Sequence, residues 1–169
     1  QSKSAPSSET ARKIPEQRSR RFPIPANINQ NCLEVDMSEY EASISDIESS
    51  PWQSQVHDQT LDVSVPAEYG GAEEGATPEH IYAASLLNCY VATLRVVAQK
   101  SHVDLVVTDG KITVELNEDA QPPLSDASIN IECSADDQER AERVAEKAKE
   151  HCYIHRSVST EITVNLTVQ

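Results

Sequence analysis

The sequence predicts an α+β fold in which helices pack on curved antiparallel sheets. Three observations carry that prediction. A long helix opens at Thr77-Pro78-Glu79 and has no charged residue from Ile81 to Leu94. A second helix, over 136–151, is amphipathic, with Ala141, Val144, Ala145 and Ala148 on one face and charges on the other. Segments that alternate with the period of a strand lie before, between and after the two helices.

Taken in order, residues 1–30 are rich in Ser, Pro, Gln and basic side chains and lack apolar periodicity, so they read as a flexible basic tail ahead of a domain over 31–169. The Arg18-Ser19-Arg20-Arg21 cluster could touch an anionic partner. Cys32 to Met37 alternates as a strand, Tyr40 to Ile47 does so more weakly, and Trp52 to Val56 is a further short strand. In Leu61 to Val65, Leu61, Val63 and Val65 share one face, and Pro66 ends the run. Together these make a meander of three or four antiparallel strands. The loop from Ala67 to Ala76 holds Gly70, Gly71 and Gly75, three of the four glycines in the chain. Their spacing fits neither phosphate-binding glycine pattern, and Glu73-Glu74 would repel phosphate, which excludes a nucleotide site.

In the central helix Thr77 is the N-cap, Pro78 fits the first helical position and Glu79 complements the helix dipole. Apolar side chains on every face predict burial all round, between a sheet and a further layer. Val103–Val107 and Lys111–Leu116 follow, joined as a hairpin through Asp109-Gly110. Pro122-Pro123 breaks the chain, and Ala127 to Cys133 is a strand with Ile129, Ile131 and Cys133 on one face. After the second helix, with Cys152 at its C-terminal end, Ile162 to Val168 closes the chain as a strand.

Composition narrows the function. The 169 residues include a single Phe and 38% hydrophobic residues, enough for one ordinary domain with an aliphatic core. Net charge is −14, with +4 on residues 1–30 and therefore −18 on the remainder, a body that would repel nucleic acid. The N-terminal stretch has no apolar signal run, and the uncharged part of the central helix reads as too short to cross a bilayer. The expectation is a soluble cytoplasmic protein with no membrane partner. The four cysteines, 32, 89, 133 and 152, lack paired ligand spacing, so no metal site is expected. In a reducing compartment the default is inert thiols, with a catalytic pair as the alternative. By position alone, all four read as packing residues.

Two stretches raise Cys89 and Cys152 above that default. One runs from Gly70-Gly71 through Thr77-Pro78-Glu79, with Cys89 ten residues after Glu79; the other is Ala148-Lys149-Glu150-His151-Cys152-Tyr153-Ile154-His155-Arg156-Ser157-Val158 and the strand behind it. In this order they resemble the OsmC and organic-hydroperoxide-resistance family, over roughly residues 30–169. The resemblance implies an OsmC-like fold, antiparallel sheets around a long central helix, in an intertwined homodimer without cofactor. It implies a thiol peroxidase of the oxidative stress response that detoxifies organic hydroperoxides. Cys89 would attack the peroxide as a thiolate and become a sulfenic acid, Cys152 would resolve it to a disulfide, and an external dithiol would reduce that disulfide. Glu79 matches the family glutamate that, with an arginine, positions and activates the thiol. Tyr153 stands where the family usually has proline. The arginine has no counterpart before the glycine-containing loop, since none occurs between Arg21 and Arg95; Arg156 or a tail arginine are the candidates to replace it. An alternative is a non-catalytic member of the family that binds an apolar ligand or a protein partner.

Ten residues at ~1.5 Å each put Glu79 about 15 Å from Cys89 along one helix. The two therefore meet only if central helices run antiparallel across a two-fold dimer, so that Glu79 of one chain approaches Cys89 of the other. Otherwise Glu79 serves its own helix dipole.

Overall fold

Two three-stranded sheets and one long helix dominate the structure, a computed structural model that describes residues 39–45, 47–72 and 74–169. Residues Tyr40–Gln169 form one unit. The tail over 1–30 and the strand expected at Cys32–Met37 lie outside the described residues.

β1 (Ala42–Ser45), β2 (Trp52–Val56) and β3 (Gln59–Val63) form the antiparallel meander, with Ala42 opposite Val56 and Trp52 opposite Val63. Beyond β3 the chain is fastened by Ser64. Although polar, Ser64 is buried, because its Oγ accepts a hydrogen bond from Ala72 N–H at 2.9 Å and lies 3.2 Å from Ser50 Oγ. The glycine loop is thereby held against the β1–β2 turn. At Gly71 the approach is so close that a Cβ would sit 1.7 Å from the Val65 carbonyl oxygen.

α1 (Pro78–Lys100) starts as the sequence leads one to expect, with a reciprocal cap: His80 N–H donates to Thr77 Oγ1 (3.4 Å) and Thr77 N–H donates to His80 Nδ1 (3.2 Å). Its buried residues are Leu86, Tyr90, Leu94 and Ala98, a single stripe at four-residue spacing that faces α2 and β4. Ala84, Asn88 and Ala92 are exposed. Burial all round is thus not achieved among the described residues, where one small-residue face of α1 is exposed. At 23 residues α1 is also long and apolar enough to cross a membrane by length and composition, contrary to the estimate from its uncharged stretch; in this fold its apolar stripe is spent on the core.

β4 (Leu105–Glu115) is one continuous strand where a hairpin was expected. Neither Asp109 nor Gly110 has the positive φ that a two-residue turn of that kind needs. A register shift between Val107 and Asp109 instead forms a bulge, after which Gly110, Ile112 and Val114 face inward as Leu105 and Val107 do before it. β4 pairs antiparallel with β5 (Asp126–Ala135), and β6 (Glu161–Val168) pairs with β5 in parallel, so this sheet is mixed. The parallel step requires a crossover, supplied by α2 (Gln138–His151) and the single turn α3 (Tyr153–Ser157). The core lies between the sheet's inner face (Ala127, Ile129, Ile131, Ile162) and the stripes of α1 and α2.

Candidate active site

Cys89 lies near the middle of α1, half-buried, and Cys152 is fully buried at the junction where α2 ends and α3 begins. The two sulfurs, 63 residues apart in sequence, lie 3.2 Å apart. A disulfide needs ~2.05 Å between sulfurs, so the pair is free but one small movement from bonding.

Opposing forces act on Cys152. Burial pushes its thiol above the ordinary value of 9.0, the neighbouring Cys89 sulfur raises it further, and the main-chain N–H groups of His155 and Ile154 pull it down. Those amides lie nearby because Cys152 is the N-cap of α3, although its side chain makes no capping hydrogen bond. Tyr153 occupies the first position of α3, where proline is favoured but not required; its side chain is exposed. His155 is pushed below its ordinary value chiefly by burial, and its Nδ1 is buried without a hydrogen-bond partner.

The structure does not bring Glu79 to the thiols within one chain. It occupies the first turn of α1, in a groove of about 500 Å³ lined also by Tyr82, Leu116, Leu124, Val158 and Thr160. The Thr77 side chain and Glu79's own main-chain N–H hold its carboxyl below the usual carboxylate value, against a smaller cost from burial, so it is ionised at neutral pH. Tyr82 donates to Thr160 Oγ1 at 2.5 Å, and Thr160 in turn donates to the Leu124 carbonyl at 2.7 Å, fixing the groove floor.

Of the candidate arginines only Arg156 falls in the described region. Arg95 and Arg156 are exposed, and no cation is among the groups that shift Cys152. Among the described residues the one ion pair is Arg143–Glu139 on the surface of α2, and no cluster of three or more His, Cys, Asp or Glu is placed to hold a metal. Cys133 is fully buried in β5 with its thiol pushed up by burial, consistent with packing; Cys32 lies outside the described residues.

Sequence reasoning passed over the residues that tie α2 to α1. Tyr90 donates from its buried hydroxyl to the Ala145 carbonyl at 3.1 Å, and Arg140 Nη2 donates to the carbonyls of Ser101 and His102 at 3.0 and 2.9 Å. A tyrosine in an aliphatic stripe was the available signal, because a buried phenol needs an acceptor.

Two sheets, a long helix and a thiol pair joining its middle to the α2–α3 junction define a known class. The model of the OsmC-like protein family matches residues 70–167, and the chain belongs to that family. The Organic hydroperoxide resistance protein-like 1 of Staphylococcus saprophyticus is 27% identical over 118 residues, covering 68% of this chain and 84% of that protein. Among solved structures, an OsmC-like protein from Mycoplasma pneumoniae superposes with a TM-score of 0.64 at 14% identity, over 78% of this chain and 97% of that one. The organic hydroperoxide resistance protein OhrB of Bacillus subtilis gives 0.53 at 18% identity, over 78% and 98%. At these identities the solved structures speak for the fold alone.

Proposed function

We propose that the chain is a two-cysteine thiol peroxidase that reduces organic hydroperoxides. The observation that carries this is the 3.2 Å approach of Cys89 Sγ and Cys152 Sγ between two different elements. Inert packing thiols have no need of each other, whereas a resolving thiol must reach a sulfenic acid before a second peroxide does.

The Cys89 thiolate attacks the outer peroxide oxygen, the O–O bond breaks, and the alkoxide leaves as an alcohol after taking a proton. Cys89 is then a sulfenic acid. The Cys152 thiolate attacks that sulfur, the S–O bond breaks, and hydroxide leaves as water after protonation, giving the Cys89–Cys152 disulfide. An external dithiol returns two electrons and two protons by thiol–disulfide exchange. Cys89, the more exposed of the pair, suits the peroxide-attacking role, and buried Cys152 suits the resolving one.

Glu79 acts in this scheme across a homodimer. The open face of α1 at Ala84, Asn88 and Ala92 admits a second α1, and Glu79, ten residues before Cys89 on one helix, reaches a Cys89 only if it is that of a second chain. Residues 1–30 are then a tail on a domain over 31–169, and the reaction belongs to the reducing cytoplasm, where dithiol reductants are kept.

One observation favours a non-catalytic member that binds an apolar ligand or a partner: no described arginine is among the groups that shift Cys152. Turnover decides between the two. Wild-type protein should consume an alkyl hydroperoxide with dithiothreitol as reductant, and Cys89→Ser should abolish it. Unaltered consumption by Cys89→Ser would sink the assignment of the nucleophile.

A further inference from the structure

The 3.2 Å sulfur contact depends on how α2 sits along α1, and the apolar interface does little to fix that. The inward face of α2 is Ala141, Val144, Ala145 and Ala148, three of the four being alanine. Such a face offers few knobs to lock one register against the next. A slip of one residue moves a helix ~1.5 Å along its axis and turns it ~100°, enough to carry Cys152 away from Cys89.

Polar ties supply what the alanines do not. Arg140, in the first turn of α2, donates through Nη2 to the carbonyls of Ser101 and His102, which cap the C-terminal end of α1. His102 has φ 53, the left-handed cap conformation that turns the chain away and leaves both carbonyls open to the guanidinium. A cation there also meets the negative end of the α1 dipole. Twelve residues separate Cys89 from Ser101 on α1, and twelve separate Arg140 from Cys152 on α2. With one tie at Ser101–Arg140, two antiparallel helical arms of equal length, about 18 Å, end at the two sulfurs. Tyr90, the residue after Cys89, adds the second tie through its hydroxyl to the Ala145 carbonyl, inside the core.

We propose that Arg140 and Tyr90 are positioning residues for the thiol pair: their hydrogen bonds to the Ser101, His102 and Ala145 carbonyls set the register of α2 on α1 at which Cys152 meets Cys89. The role of that meeting in turnover rests on the peroxidase reading, but the register itself is open to test without hydroperoxide.

The test equilibrates the reduced full-length protein in buffers of glutathione and glutathione disulfide. One glutathione disulfide takes two electrons and two protons from Cys89 and Cys152 and becomes two glutathiones. The disulfide fraction is read by thiol labelling and peptide mass mapping. Tyr90→Phe keeps the ring and loses only the tie; Arg140→Gln removes the cation, and Arg140→Lys keeps it. Tyr90→Phe and Arg140→Gln should each lower the equilibrium constant for the Cys89–Cys152 disulfide about fivefold, the worth of one ordinary hydrogen bond, with Arg140→Lys recovering part of the loss. Thermal midpoints of the reduced and oxidised forms are measured alongside. Equal drops in both midpoints with unchanged disulfide constants would mean that the ties only stabilise the fold, and would overturn the proposal. A wild type that forms the disulfide normally, loses it in the variants and yet consumes no hydroperoxide would support the register and defeat the peroxidase reading instead.

Discussion

At Cys152 the balance between burial and the α3 amides sets when resolution can occur. Burial is the larger influence, so the thiol is held above its ordinary value of 9.0 and is protonated at neutral pH. Disulfide formation from a preformed Cys89 sulfenic acid should therefore accelerate about tenfold per pH unit between about pH 6 and about pH 8, as the thiolate fraction grows. Stopped-flow mixing with limiting hydroperoxide, followed by acid quench and mass analysis, measures it; a flat profile would show that Cys152 is already a thiolate. The raised value also has a sign for stability. The thiol form is favoured in the fold, so this contribution is complete below the ordinary value and is lost as pH rises through the folded one. Cys89 and Cys152 stood out in the sequence through the two stretches around them, and the fold puts their sulfurs 3.2 Å apart. Tyr90 and Arg140 did not, since their acceptors are main-chain carbonyls dozens of residues away and no local pattern encodes such a contact.

Among the elements, the glycine loop shows how tightly the meander is bound to the start of α1. Gly70 and Gly71 are neighbours with different reasons to be glycine. Gly70 has φ +82 and open space around a Cβ, so Gly70→Ala should cost about 1 kcal/mol, the strain of a left-handed alanine. At Gly71 an added Cβ meets the Val65 carbonyl at 1.7 Å, and the loop pinned by Ser64 has to move; Gly71→Ala should cost more than about 3 kcal/mol. Urea unfolding of the two variants checks the contrast, and equal losses would contradict it. The second helix and the closing strand were legible from periodicity alone. The Asp109-Gly110 hairpin was not: local turn chemistry favoured it, but ten residues of β5 pair along β4 and hold it straight, with a bulge absorbing the mismatch. Gly110 has its own use in that strand, as a Cβ there would come 3.2 Å from Ile131 Cδ1.

The whole molecule explains why the helix looked buried on every side. A sequence records which faces are apolar or small, not whether the cover comes from the same chain. Among the described residues α1 buries Leu86, Tyr90, Leu94 and Ala98 and has Ala84, Asn88 and Ala92 exposed. A second α1 on that face would complete its burial. Light scattering should then give twice the mass of one chain, and Ala92→Arg, with a cation on the contact face, should shift the protein to monomer and remove hydroperoxide turnover. A monomeric Ala92→Arg with full turnover would show that each chain works alone and that Glu79 serves only its own helix.

The most direct test of the account treats the reduced protein with one equivalent of an alkyl hydroperoxide and labels the remaining thiols before intact-mass and peptide analysis. A stoichiometric Cys89–Cys152 disulfide, with Cys133 still labelled after unfolding, is the predicted result. Cys89 and Cys152 both recovered as free thiols would contradict it, and would mean that their 3.2 Å contact serves the core rather than chemistry.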